Sequence, residues 1–138
     1  VDEHAIHRKR KLVTIEFEDE DKKRKRQQEL REKIKDLADE IPVDPHKLYA
    51  YPIHWEECND AVLSKLRLFV GKKVFQVLGI PGPEMVNFVM NHLKKRGHAH
   101  KLAQELYNAL DNEASQLVFK LWRMLIFETE ARHRKWIK

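Results

Sequence analysis

The sequence predicts an all-α fold: a four-helix bundle with an additional basic helix and an extended tail at its N-terminal side. Three features carry that expectation. Leucines recur every four residues at Leu102, Leu106 and Leu110, and again at Leu117, Leu121 and Leu125. This spacing lines side chains up on one face of a helix with 3.6 residues per turn. Only 4 Gly and 5 Pro occur in 138 residues, fewer turn formers than a sheet-rich fold needs between its strands. The connections between periodic stretches are short, which favours antiparallel helical neighbours.

In chain order, residues 1–21 read as a flexible or partner-dependent tail. Val13, Ile15 and Phe17 alternate with Thr14, Glu16 and Glu18, a strand-like pattern with no second strand to pair with. Residues 22–40 contain neither Gly nor Pro and predict a basic helix, docked from about Leu30 by the seam Leu30, Ile34 and Leu37. Ile41 and Pro42 end it, because a residue before proline is pushed out of the helical region. Residues 43–53 form an apolar connector. A second helix is expected from Trp55, with His54 as a poor cap. Its inner face is Cys58, Ala61, Val62 and Leu66, continuing through Phe69, Val70, Val74 and Val77, with a bend or break at Gly71.

Pro83 suits the first position of a third helix with Val86, Val89, Met90 and Leu93 inside. Lys94, Lys95 and Arg96 complement its C-terminal dipole, and Gly97 suits its cap. The leucine repeat from Leu102 to Leu110, with Tyr107 and Ala109 beside it, is a fourth helix. The stretch from Asp111, its expected cap, to Lys135 is the hub. Val118, Trp122 and Ile126 double its leucine column, Phe119, Met124 and Phe127 widen the stripe, and Lys120, Arg123, Glu128 and Glu130 are left for the polar side. Arg132, His133, Arg134 and Lys135 then read as an exposed basic end. The domain is expected to span residues 22–138, including the basic helix.

Net charge is +5, and its placement is uneven. Residues 1–21 hold four basic side chains (Arg8, Lys9, Arg10, Lys11) against seven acidic ones. Residues 22–35 reverse the balance: Lys22, Lys23, Arg24, Lys25, Arg26, Arg31, Lys33 and Lys35 outnumber Glu29 and Glu32 by six. Residues 36–138 carry 15 basic and 13 acidic groups. A concentrated basic block attracts polyanions through counterion release, whereas scattered charge mainly aids solubility. Short runs such as His7–Lys11 and Lys22–Arg26 also match nuclear-import patches, and equally match plain solvated charge. The single Cys58 excludes an intrachain disulfide and fits a reducing compartment. Apolar runs are far shorter than the roughly 20 residues that span a bilayer, so no membrane role is expected.

Catalytic constellations are missing. The sequence has no Walker A loop, dinucleotide-binding glycine pattern or nucleophile elbow. Its histidines are scattered without Cys partners or an HExxH helix, so no metal site is expected. Cys58 falls on a predicted buried face, where a packed thiol rather than a nucleophile is the reading. The expectation is a binding protein without cofactor, not an enzyme.

Three blocks carry a family resemblance. Ala50-Tyr51-Pro52-Ile53-His54-Trp55, the stretch from Lys65 to Gly79, and Lys120-Leu121-Trp122-Arg123-Met124-Leu125-Ile126-Phe127-Glu128-Thr129-Glu130-Ala131 closely resemble the PWI domain family. The last is the most specific, since it matches in order without gaps. Arg8-Lys9-Arg10-Lys11-Leu12-Val13, followed by an acidic patch, is similar to a segment that precedes such a domain. One departure stands out. The namesake Pro-Trp-Ile falls on Leu68-Phe69-Val70, which lacks both the proline that would force a helix start and the tryptophan.

The resemblance implies a four-helix bundle that binds single- and double-stranded nucleic acid, RNA or DNA, with little sequence preference and in cooperation with an adjacent basic segment. It also implies a nuclear role in pre-mRNA splicing, with splicing-factor proteins as partners, including those of the ribonucleoprotein that recognises 5′ splice sites. The cooperating segment is then Lys22, Lys23, Arg24, Lys25 and Arg26 with Arg31, Lys33 and Lys35, and the bundle contributes Lys72 and Lys73. Phosphate contacts of this kind supply affinity that falls with salt and carries little base information. A second reading stands beside it: a docking module in which an apolar groove, or the Leu12–Phe17 segment, engages another spliceosomal protein, the charge serving import and solubility.

Overall fold

The computed structural model describes the backbone from Glu3 to Lys138, and side chains from Asp19 onward. Six α-helices follow one another: α1 (Glu3–Glu40), α2 (Pro45–Ala50), α3 (Asp60–Leu78), α4 (Pro83–Lys94), α5 (Ala99–Leu110) and α6 (Glu113–His133). A short 3-10 helix, Trp55–Glu57, precedes α3. No strand occurs among the described residues. The chain divides into two units, Val1–Asp36 and Leu37–Lys138.

The first unit is helical from Glu3, so the backbone of the expected extended tail is corrected to helix. No Gly or Pro interrupts residues 1–41. With no partner strand in the sequence, a helix satisfies the backbone amides and carbonyls locally. The side chains of residues 1–18, including Arg8–Lys11 and the Val13, Ile15, Phe17 alternation, lie outside the described residues. Leu30 and Ile34 are half-buried.

The second unit is built around α6. It contacts α2, the 3-10 helix, α3 and α5, while α4 reaches the core through α3. Leu117, Val118, Leu121, Trp122, Leu125 and Ile126 are all buried, as the double column predicts. Tyr49 of α2 meets the Trp122 ring edge-on, with centroids 6.3 Å apart. Leu37 and Ile41 join the same core. Facing α6 stand Val62, Leu66, Val70 and Val74 of α3 and Leu102, Leu106 and Leu110 of α5. Tyr107 and Ala109, placed beside the leucines by sequence, are exposed instead.

Helix boundaries differ from expectation where local chemistry decides them. Cys58 and Ala61 are half-buried and exposed respectively, because α3 begins only at Asp60. Asn59 caps it, its Oδ1 accepting from the Val62 amide at 3.0 Å. The stretch expected to start that helix forms the 3-10 turn. Gly71 lies inside continuous helix and does not break it. Gly79, at φ 76, ends α3 in the left-handed conformation that costs glycine nothing.

After α4 the left-handed residue is Arg96 (φ 55) rather than the expected Gly97. The Arg96 amide donates to Leu93 O at 2.9 Å and the Gly97 amide to His92 O at 3.0 Å, the paired closure that satisfies a helix's last carbonyls. Gly97 serves packing: a side chain there would collide with the His92 ring, whose Nε2 lies 2.9 Å from His98 O. Lys135 (φ 62) closes α6 in the same way, with the Trp136 amide donating to Ala131 O at 2.9 Å. Asp111 does not cap α6. It adopts φ 50 at the end of α5, and Asn112 stands at the cap position without a side-chain bond.

Candidate nucleic-acid interface

The cationic block sits on one uninterrupted helix. Lys22, Lys23, Arg24, Lys25, Arg26, Arg31, Lys33 and Lys35 are all exposed on α1. At about 100° per residue six of the eight sort into two stripes, Lys23 and Lys25 lying outside them. Arg24, Arg31 and Lys35 fall within about 40° of one another, as do Lys22, Arg26 and Lys33 on the other side. The apolar positions Leu30, Ile34 and Leu37 run between the stripes. Each stripe extends over 11 residue steps, about 16 Å of helix at 1.5 Å per residue. Long, flexible cationic side chains so arranged match a run of phosphates rather than a single anion.

The bundle's two candidates differ from each other. Lys72 of α3 is exposed. Lys73 is half-buried in a small cleft with Val77, Leu110, Leu117, Glu113 and Lys120. It therefore has less freedom than Lys72 to reach a phosphate. Two further cations of α3 are engaged already: Lys65 Nζ lies 3.4 Å from Glu128 Oε1, and Arg67 Nη1 donates to Asn87 Oδ1 at 2.8 Å.

The exposed basic end expected from Arg132 to Lys135 is largely spoken for. Arg132 is buried at 6% exposure and pairs with Glu128, itself at 7%. Arg134 donates from Nε to Glu130 Oε1 at 2.9 Å and from Nη2 to Glu40 Oε2 at 3.0 Å. Its hydrogen bond to Glu40, ahead of that to Glu130, raises its pKa further above the ordinary arginine value. Glu128, Thr129, Glu130, Ala131 and Arg132 form a wholly buried turn, where sequence placed the glutamates on the polar side. The reason is that α6 is covered on several faces at once, so its charges are retained only with partners, on α6 itself and from Lys65 and His54.

Arg123 likewise leaves solvent. Its Nη1 donates to Pro42 O at 2.9 Å and Ile41 O at 3.3 Å, and its Nη2 to Ala38 O at 3.5 Å. The guanidinium thus serves the orphan carbonyls at the C-terminus of α1.

His54, Glu56 and His133 come together, their ligand atoms within 4.8 Å of one another. His54 Nε2 lies 2.8 Å from Glu130 Oε2 and its Nδ1 3.2 Å from Glu56 Oε1. The two imidazoles stack at 3.8 Å with planes 6° apart. Parallel rings do not converge their lone pairs on one ion, and both nitrogens of His54 already face carboxylates. The arrangement is a clasp between the 3-10 turn and the end of α6. The Glu56 carboxyl is held below its ordinary pKa, chiefly by its own backbone amide, with His54 adding. Sequence inspection missed this cluster because its histidines are far apart along the chain. Cys58 is half-buried, and burial pushes its thiol up.

A sequence model of the PWI domain matches residues 64–133. The chain is 30% identical to RNA-binding protein 25 of Homo sapiens over 136 residues, covering 95% of this chain and 16% of that protein. It is 31% identical over 108 residues to the U1 snRNP-associated protein usp107 of Schizosaccharomyces pombe, covering 75% of this chain and 16% of that one. RNA-binding motif protein 25 of Arabidopsis thaliana is 34% identical over 95 residues, 68% of this chain and 11% of the plant protein. The chain thus spans about a sixth or less of the length of these relatives.

Proposed function

The chain belongs to the PWI domain family, and from that premise we propose that it is a nucleic-acid-binding module of a nuclear pre-mRNA splicing factor. The exposed cationic stripes of α1 contact phosphates with little sequence preference, Lys72 adds to them from the bundle, and Lys73 contributes from the edge of its cleft. The observation that carries this reading is the local excess of six positive charges in residues 22–35, on a continuous helix with every cationic side chain exposed. Two relatives named for RNA binding and one named for association with the U1 snRNP support it. RNA, single- or double-stranded, is the ligand, and proteins of the 5′ splice-site ribonucleoprotein are the partners.

Fluorescence anisotropy on labelled RNA across a salt series tests the proposal. Affinity should fall with salt, and the logarithmic slope should shrink by about 0.7 for each single-strand phosphate contact removed. Changing Lys22–Arg26 to Gln should lower both affinity and slope. Affinity untouched by that change, or a flat salt response, refutes the reading. The docking alternative is favoured by a separate observation, an exposed apolar groove on the bundle.

A further inference from the structure

Helix α3 is apolar on two sides. Val62, Leu66, Val70 and Val74 face the core, while Leu68 and Phe75 point outward at 67% and 52% exposure. With Gly71 and Leu78 they form a second stripe at i, i+3, i+7 and i+10, about 15 Å long at 1.5 Å per residue. The stripe borders a groove of about 580 Å³ between α3 and α4, closed on the far side by Pro81, Pro83 and Val86. Arg67 and Lys72 stand at its rim, and no acidic residue lines it.

Gly71 sharpens the picture. It occupies the middle of a continuous helix, where glycine is a poor choice, and it does not adopt the left-handed backbone that would require it. A Cβ built there would meet nothing within 4 Å. Neither packing nor backbone conformation therefore calls for glycine at this position. What its missing side chain does is keep the floor of the groove open.

We propose that the groove between α3 and α4 docks a short amphipathic helix of another protein, with apolar anchors at i, i+3 or i+4, and i+7 and acidic residues beside them. The length of the stripe matches about three turns of helix. The apolar lining takes the anchors, and Lys72, with Arg67 beyond its Nη1 bond to Asn87, meets the acidic flank. A nucleic-acid strand fits less well, because the lining is aliphatic and proline-rich and offers Phe75 as its one aromatic platform. The inference goes beyond the nucleic-acid reading and uses no residue of α1. Lys72 alone is shared between them.

The probe is a displayed library of 14-residue helical peptides, selected on the intact chain and read out by chemical-shift mapping of the recovered sequences. Acidic amphipathic helices should be enriched and should shift the amides of Leu68, Gly71, Phe75 and Val86. Leu68→Glu and Gly71→Gln should each weaken binding at least tenfold, and Lys72→Glu should weaken it several-fold. Gly71→Gln also separates blocked docking from damaged fold, since replacing a mid-helix glycine in open space should raise the Tm by a few degrees. Changing Lys22–Arg26 to Gln should leave peptide binding unchanged even where it abolishes RNA binding. Recovered peptides that bind Leu68→Glu and Gly71→Gln as well as the parent overturn the proposal. So does an enriched set without acidic residues, or a uridine dodecamer that shifts the groove amides when the peptides do not.

Discussion

Glu128→Leu should be among the most damaging single changes in this chain, although the residue carries a charge near the end of the last helix. Glu128 and Arg132 are both more than nine-tenths buried and face each other one turn apart on α6. Arg132 Nη1 also reaches Glu128 O at 3.0 Å, but its Nε has no hydrogen-bond partner. Removing the carboxylate strands a buried guanidinium, a change that costs about 3–5 kcal/mol when a buried pair is broken from one side. The converse change, Arg132→Met, should cost less, because Lys65 remains 3.4–3.5 Å from the Glu128 carboxylate. Replacing both residues together should return stability to within about 1–2 kcal/mol of the parent, since well-packed apolar side chains substitute for buried ion pairs at little loss. Urea unfolding monitored by far-ultraviolet circular dichroism measures all four proteins. With a slope of about 1–3 kcal/mol/M, the Glu128→Leu midpoint should fall by at least about 1 M. A single variant losing under about 1 kcal/mol, or a double variant losing the sum of the two singles, would refute this account of the buried turn.

Trp122, 3% exposed and edge-on to Tyr49, should cost about 3–5 kcal/mol when changed to Ala, and a thermal melt with little change would contradict its place in the core. Arg123→Ala should cost about 1.5–3 kcal/mol, the range for hydrogen bonds made by a charged group, and should speed hydrogen exchange in the last turn of α1. Arg123→Lys should recover only part, because a point charge cannot serve the three carbonyls of Ala38, Ile41 and Pro42 as a planar fork does. Cys58 has its thiol raised by burial, so less thiolate is present at any given pH. Its alkylation should be slower than in the urea-unfolded chain, with the rate profile displaced to higher pH, and equal rates in the two states would contradict the burial.

Helix content and the principal core positions were legible in the sequence because they rest on periodicity, a property of neighbours along the chain. The leucines of α5 and α6 and the valines of α4 took the places their spacing assigned. The cationic block was legible for the same reason, as a matter of composition within a few turns. Caps were less so. Arg96, Asp111 and Lys135 adopt positive φ, and a residue's tolerance of that conformation does not show in its identity as glycine's does. Val77, expected on the inner face of α3, proved exposed at 39%, because α3 has two apolar stripes and periodicity cannot say which one faces inward.

By itself, then, the sequence determined a helical bundle resembling the PWI family, a hub helix and a local block of positive charge, while it read residues 1–21 as extended where the chain is helical from Glu3. Tertiary structure alone decided which charges are free. It took Arg123 to the end of α1 and Arg134 to Glu40, buried the i,i+4 pair of Glu128 and Arg132, and clasped His54 to Glu130. It also left the stripe from Leu68 to Leu78 uncovered. The physical reason is that a cation's freedom depends on which carboxylate or carbonyl the fold brings within about 3 Å, and the partners here lie up to 94 positions away. Local spacing encodes which face of a helix is apolar, whereas only the packed chain settles what that face meets.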